Sequence, residues 1–186
     1  MAMTGSIVVR QARADDMPAF SHIVNHYIKT TTVNFRTVTQ SPEEWHREWQ
    51  ASHDRYPWLL AVDGDEPVGL AYAVPWKARN AYDWCAEATV YVADGQHRRG
   101  IGRLLYGRLL DGLDRQGYRS TMGVIALPNE ASVALHEAYG FQHVGTLRSV
   151  GYKHGRWCDI GFWQRRVAHA DTPPGDLLLV SEVWST

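Results

Sequence analysis

The sequence predicts an α+β domain, a mixed and mostly antiparallel central sheet with helices on both faces. Three observations carry that expectation. Residues 87–92 alternate as a half-buried strand and run through a glycine-bearing turn into a leucine-rich helix. A hairpin signal stands at each end, around Asp63-Gly64-Asp65-Glu66-Pro67 and around Gly151-Tyr152-Lys153-His154-Gly155. Helix-period segments lie among these strands, so one sheet has to be covered by helices from the same domain.

In order, residues 7–10 form a first strand. Asp15 is the expected N-cap, with Pro18 in the first turn, of a helix that buries Met17, Phe20, Ile23, Val24, Tyr27 and Ile28. Residues 30–39 have no period and read as a loop holding Asn34 and Phe35. Ser41-Pro42-Glu43-Glu44 is a capping box, and Trp45 and Trp49 share one face of the helix it opens. Strands at 58–62 and 68–74 follow, then a charged, aromatic loop over 77–84. In the strand over 87–92, Glu87, Thr89 and Tyr91 share one face, and Ala88, Val90 and Val92 the other. Leu104, Leu105, Leu109, Leu110 and Leu113 recur at helical spacing until Gly117. A buried strand at 121–127, a helix from Asn129 to Gly140, and strands at 141–150 and 157–167 complete a single domain over 1–167. The tail, 168–186, begins with the linker chemistry of Thr172-Pro173-Pro174-Gly175. Its Leu177-Leu178-Leu179-Val180 is apolar enough to dock on the domain or on a partner.

A length of 186 residues suits one domain with a sizeable core, and a net charge of −1 makes no electrostatic case for nucleic acid or a membrane surface. No apolar run suggests a signal peptide or a span. Cys85 and Cys158 are too few for a disulfide framework, so a reducing cytoplasm is expected. No metal is expected. Eight tryptophans and nine tyrosines belong mostly to the core or an interface and identify no site by number alone.

The turn Gln96-His97-Arg98-Arg99-Gly100-Ile101-Gly102 opens a helix whose first N–H groups lack partners, a setting that suits a pyrophosphate. Alone, a G-x-G in a basic loop reads first as an ordinary turn with solvated arginines. A second segment lies about thirty residues on: Asn129-Glu130-Ala131-Ser132-Val133-Ala134-Leu135-His136-Glu137-Ala138-Tyr139-Gly140-Phe141. The pair resembles the GCN5-related N-acetyltransferase (GNAT) superfamily, whose motifs read Q/R-x-x-G-x-G/A and N-x-x-A-x-x-L-Y-E-x-x-G-F. His97 stands where Gln or Arg is usual, Ser132 replaces Ala, and His136 replaces a Tyr that often protonates the leaving thiolate. Thr32-Val33-Asn34-Phe35-Arg36-Thr37, Arg55-Tyr56-Pro57-Trp58-Leu59, the segment over 75–84, Gly151-Tyr152-Lys153-His154-Gly155 and Gly161-Phe162-Trp163-Gln164 further resemble its phosphinothricin N-acetyltransferase branch. The likeness spans residues 7–166 and leaves out the tail. It implies the GNAT fold and acetyl-CoA as co-substrate. It also implies a homodimer, and acetylation of the α-amine of phosphinothricin, methionine sulfoximine or methionine sulfone by direct attack in a ternary complex.

Acetyl transfer to an α-amine needs a base, because the amine is protonated at neutral pH. Glu87 is the leading candidate. As a lone strand-end glutamate it reads as solvated, but the resemblance places it on the branch's catalytic carboxylate. His136, otherwise a structural helical histidine, is implied as its partner in a relay through water. Val90 and Val92 would offer backbone groups, and Asn129 its side-chain amide, to the pantetheine arm; each reads equally as plain sheet or cap. With Tyr91, His97, Arg98, Arg99, Gly100, Ile101, Gly102, Arg103 and Ser132 they make up the expected cofactor site. Lys77 and Arg79, two apart in an extended loop, suit the carboxylate and phosphinate of a substrate, unless they are merely solvated. Ala78, Tyr82, Asn34, Phe35, Glu87, Ala88 and Thr89 complete the expected amino-acid pocket. Two other functions fit less well. A non-catalytic acetyl-CoA-binding sensor needs neither Glu87 nor the Lys77/Arg79 pair, and acetyl transfer onto a protein N-terminus or lysine favours an open acidic peptide groove over this basic loop; another small amine is the remaining alternative acceptor.

Overall fold

In β1 (Val8–Gln11), Arg10 grips Asp16 through two hydrogen bonds of 2.6 and 2.8 Å. That pair sets the entrance to α1 (Met17–Thr30) and corrects the expected cap at Asp15. A short 3-10 turn, Ala14–Asp16, comes first, and the Asp16 carboxylate also accepts from the Arg13 N–H at 2.7 Å. A fork-shaped guanidinium on the neighbouring strand selects the carboxylate it can reach with two bonds. The structure is a computed structural model and describes residues 6–168 and 172–184.

The capping box forms as expected: Ser41 Oγ accepts from Glu44 N at 3.2 Å, and Ser41 N donates to Glu44 Oε2 at 2.7 Å. It opens α2 (Pro42–Ser52), whose Trp45 is fully buried; truncating such a side chain costs about 3–5 kcal/mol. β2 (Trp58–Asp63) and β3 (Glu66–Pro75) make the first hairpin; β4 (Cys85–Val92) and α3 (Ile101–Gln116) follow. Then come β5 (Ser120–Leu127), α4 (Glu130–Ala138), β6 (Gln142–Lys153) and β7 (Arg156–Arg166). The closing turn is tighter than expected. His154 and Gly155 alone form it, both at positive φ, as a two-residue hairpin turn requires, so Gly151 to Lys153 belong to the strand.

Among the described residues, seven strands lie in the order β1-β2-β3-β4-β5-β7-β6, antiparallel except for the parallel pair β4–β5. Strand alternation sends Trp58, Leu60 and Leu70 to one face, against Phe20, Val24 and Trp45 of α1 and α2. Leu59, Ala61, Ala71 and Ala73 go to the other face, against Leu105 and Leu109 of α3. Helices therefore cover both faces, as expected.

The tail's apolar run docks on the domain. Val180 N donates to Asp54 O at 2.8 Å, and Gln116 Nε2 donates to Leu178 O at 2.9 Å. The single turn α5 (Val180–Val183) and Trp184 join the core beside α3, with the Arg108 guanidinium 5.2 Å from the indole centroid.

Candidate active site

β4 and β5 pair only over Cys85↔Ser120, Ala86↔Thr121 and Glu87↔Met122. Both strands continue, to Val92 and to Leu127, but apart. The wedge between them opens into a cavity of about 600 Å³, whose wall includes Glu87, His136, Asn129, Gly102, Asn34 and Phe35. Parting two neighbours in mid-sheet leaves strand-edge N–H and C=O groups facing a cleft, where an extended ligand can bond them.

Glu87 sits at the last paired position, half-buried. Burial raises its pKa, and the nearby Lys77 charge only partly offsets this. A carboxylate displaced in this direction is a stronger base than a solvated one. His136 faces the same cavity from α4 and is buried. Its Nδ1 lies 2.7 Å from the Ser132 carbonyl oxygen, which accepts only, so Nδ1 carries the proton and Nε2 is left as an acceptor. The ring rests against Gly123 of β5; a Cβ there would stand 2.3 Å from His136 Cδ2. Burial lowers the imidazole pKa, which keeps the ring neutral near neutrality.

The helix ends at the cleft differ. Asn129 Oδ1 caps α4 by accepting from Ser132 N at 3.2 Å. Among the described residues no side chain caps α3, whose N-cap is Gly100 at φ 79; Arg98, two residues earlier, has φ 63. That end keeps its free N–H groups and the positive end of the helix dipole for an anion.

Of the expected cofactor residues, Val90, Tyr91, Val92, His97, Gly102, Asn129 and Ser132 line the cavity. Capping uses the Asn129 carbonyl oxygen and leaves its NH2 group available. The Val92 carbonyl is already taken by the Tyr27 hydroxyl at 2.6 Å. Arg98, Gly100 and Arg103 lie outside the wall, and Ile101 is a core side chain that offers only its backbone. Arg99 is exposed and does not line the cleft; it binds Gln96 and, at 2.6 Å, Asp63 in the β2–β3 turn.

Of the expected substrate residues, Asn34, Phe35, Ala88 and Thr89 line the cavity beside Glu87. Lys77, Ala78, Arg79 and Tyr82 are exposed and outside its wall, with the Lys77 ammonium 4.5 Å from the Trp76 ring centroid. Sequence reasoning missed Tyr27, Tyr72, Arg36, Val124, Ala126 and Ile160 as wall residues. For Tyr27 the helical period showed an inward side chain but not its partner on β4; burial pushes its phenol up to about 12, so it remains a donor. For Val124 and Ala126 no sequence signal exists, because they face the cleft only where β5 parts from β4. Among the described residues no group of three His, Cys, Asp or Glu is placed to hold a metal ion.

A raised carboxylate and a neutral imidazole face one cleft beside the uncapped first turn of α3, and these are the kinds of group that transfer from a phosphate-bearing carrier to a protonated nucleophile calls for. The chain belongs to the GNAT acetyltransferases: the family model for the acetyltransferase (GNAT) domain matches residues 9–161. It is an acyltransferase. It is 55% identical, over 86% of its length and 87% of the relative's, to the phosphinothricin N-acetyltransferase of Streptomyces viridochromogenes. It is 31% identical to the L-methionine sulfoximine/L-methionine sulfone acetyltransferase of Salmonella typhimurium, over 90% of this chain and 98% of the relative. The crystal structure of a phosphinothricin acetyltransferase from Sinorhizobium meliloti in complex with AcCoA superposes with a TM-score of 0.87 at 29% identity, covering 91% of this chain and 93% of that one.

Proposed function

We propose that this enzyme acetylates the free α-amino group of phosphinothricin, and of methionine sulfoximine and methionine sulfone, with acetyl-CoA as donor. The observation that carries the reading is that Glu87 and His136 face one cleft, whose wall also includes Gly102 in the uncapped first turn of α3. The bound thioester supplies an activated acetyl carbon. The residues of this chain do the rest. The first-turn N–H groups of α3, with Gly102 open beside them, hold the pyrophosphate. The free edges of β4 and β5 and the Asn129 amide hold the pantetheine arm. Glu87, directly or through water, accepts the ammonium proton, and the neutral amine attacks. His136 Nε2 takes the second amine proton and returns it to the departing sulfur, so amide and thiol form with no acetyl-enzyme.

Lys77 and Arg79 are assigned to the substrate anions. Their loop is exposed at the Glu87 end of the cleft, and the Lys77 charge already acts on Glu87. A homodimer in a reducing cytoplasm is part of the reading. Leu147, Val150, Tyr152 and Trp157 of the closing hairpin stand about half-exposed, as an interface would leave them in one protomer, and Cys85 and Cys158 are free thiols. The reading is tested by incubating the protein with acetyl-CoA and phosphinothricin. Thiol release matched one-to-one by an N-acetyl amide in the product spectrum supports it; thiol release without that amide, or no reaction, rejects it.

A further inference from the structure

The loop between α1 and α2 has no regular structure, yet it places Asn34 and Phe35 in the cavity wall. Its anchors lie at the far end of the chain. Lys153, buried at the end of β6, donates from Nζ to the Asn34 carbonyl oxygen at 2.6 Å. The Phe35 ring packs against Gly151, where a Cβ would stand 2.1 Å from Phe35 Cε2. Arg156 Nη2, at the start of β7, donates to Thr32 Oγ1 at 2.9 Å. Toward the cleft, Asn34 Nδ2 donates to the Tyr91 hydroxyl at 2.9 Å, and Asn34 Oδ1 accepts from Arg36 N at 2.8 Å.

An irregularity in β6 delivers these anchors. Leu147 pairs with Ile160, but Gly151 pairs with Cys158, so β6 holds extra residues between them. Asp159 pins that bulge. It accepts from Ser149 N at 2.7 Å and from Arg148 Nη1 at 2.9 Å, with Ser149 at φ 48. Bulges beside active sites re-aim side chains. A buried ammonium committed to a main-chain carbonyl is a costly arrangement, and burial lowers the Lys153 pKa. The bond it makes fixes one specific peptide, the one that carries Asn34 and leads into Phe35.

We propose that the closing hairpin is the positioning element of the amino-acid site: Lys153 and Gly151 hold the Asn34–Phe35 wall and thereby set which substrate side chains fit. This rests on the amino-acid reading above. Lys153 is a positioning residue and touches no substrate.

The test is two-substrate kinetics on Lys153→Met and Gly151→Ala, with thermal melting and trypsin cleavage after Arg36 measured in parallel. Loss of one bond from a charged donor predicts an amino-acid KM raised about tenfold or more in Lys153→Met, with the acetyl-CoA KM within about twofold of wild type. Gly151→Ala displaces the Phe35 ring while keeping Lys153, so it is expected to change the kcat/KM ratio between phosphinothricin and methionine sulfone. Cleavage after Arg36 is expected to quicken in both variants. A folded variant with a wild-type amino-acid KM and ratio overturns the proposal, as does a loss shared equally by acetyl-CoA. If Lys153→Met does not fold, Gly151→Ala decides alone. A wild type inert toward every amino acid tried would reject the functional reading instead. The loop assignment is then decided by cleavage after Arg36, and unchanged cleavage overturns it.

Discussion

His136 Nδ1 stands 2.7 Å from the carbonyl oxygen of Ser132, one turn earlier in α4. That single contact fixes the tautomer and aims Nε2 away from its own helix. The opposite edge of the ring is held by Gly123, which has no side chain to push it off.

Gly123→Ala is therefore expected to disable the histidine without removing it. The added methyl displaces the ring, and a displacement near 1 Å at a reacting group can cost about 10²-fold. The check is kcat with acetyl-CoA binding measured separately: kcat falls and binding holds. Ring-nitrogen NMR should show the Nδ1–H tautomer in wild type and a shifted signal in the variant.

Glu87→Gln is expected to lower kcat by about 10²–10⁴-fold, the usual worth of a positioned base. Because burial raises the Glu87 pKa, kcat/KM of the wild type should fall as pH drops through that raised value, and the variant should lack this limb. If Glu87 and His136 serve one relay, the Glu87→Gln/His136→Ala double variant loses less than the product of the single losses.

Stability should carry the opposite signs of the two shifts. His136 has a lowered folded pKa, so the unfolded chain takes a proton near pH 6.5 that the fold refuses. Its contribution is present above about pH 6.5 and is lost as pH falls toward the folded value. Glu87 has a raised folded pKa, so its contribution is present below the unfolded value and is lost as pH rises through the folded one. Urea denaturation across pH should show a His136→Gln variant losing less stability than wild type below about pH 6.5.

Gly102→Val is expected to raise the acetyl-CoA KM strongly while the protein melts near the wild-type temperature. A Cβ at 102 would meet Val92 Cγ2 at 3.6 Å and Leu135 Cδ2 at 3.8 Å, ordinary contacts that the fold accepts. The branched remainder would stand at the mouth of the uncapped helix end. Unchanged acetyl-CoA affinity in the folded variant moves the cofactor site elsewhere.

Cys85→Ala should stay active, with intersecting lines in a two-substrate plot. The thiol lies outside the cavity wall, and burial raises its pKa, both wrong for an acyl carrier. Parallel lines together with a dead Cys85→Ala enzyme would establish an acetyl-enzyme route.

Local chemistry was legible in the sequence wherever it depends on neighbours in the chain. The Ser41–Glu44 box, the Gly100–Gly102 helix start and the Glu87/Thr89/Tyr91 face are all of this kind. What depended on distant neighbours was not. Asp16 replaced Asp15 at the start of α1 because Arg10 of the adjacent strand binds it. Arg99 looked free for phosphate until the β2–β3 turn brought Asp63 to it. The parting of β4 from β5, which exposes Val124 and Ala126, and the seat of Phe35 on Gly151 arise from pairings between segments far apart in the chain, and no local pattern encodes them.

The most direct measurement of the central claim is a kcat/KM series for phosphinothricin, methionine sulfoximine, methionine sulfone and glutamate, taken with wild type and Arg79→Ala. A pocket that reads a tetrahedral anion beside a free α-amine predicts phosphinothricin ahead of glutamate by about 10²-fold or more. It also predicts that Arg79→Ala penalises the phosphinate more than the uncharged sulfone. Glutamate equal to phosphinothricin, or a lysine or peptide amine ahead of all four, would contradict the account and leave acetyl transfer alone standing.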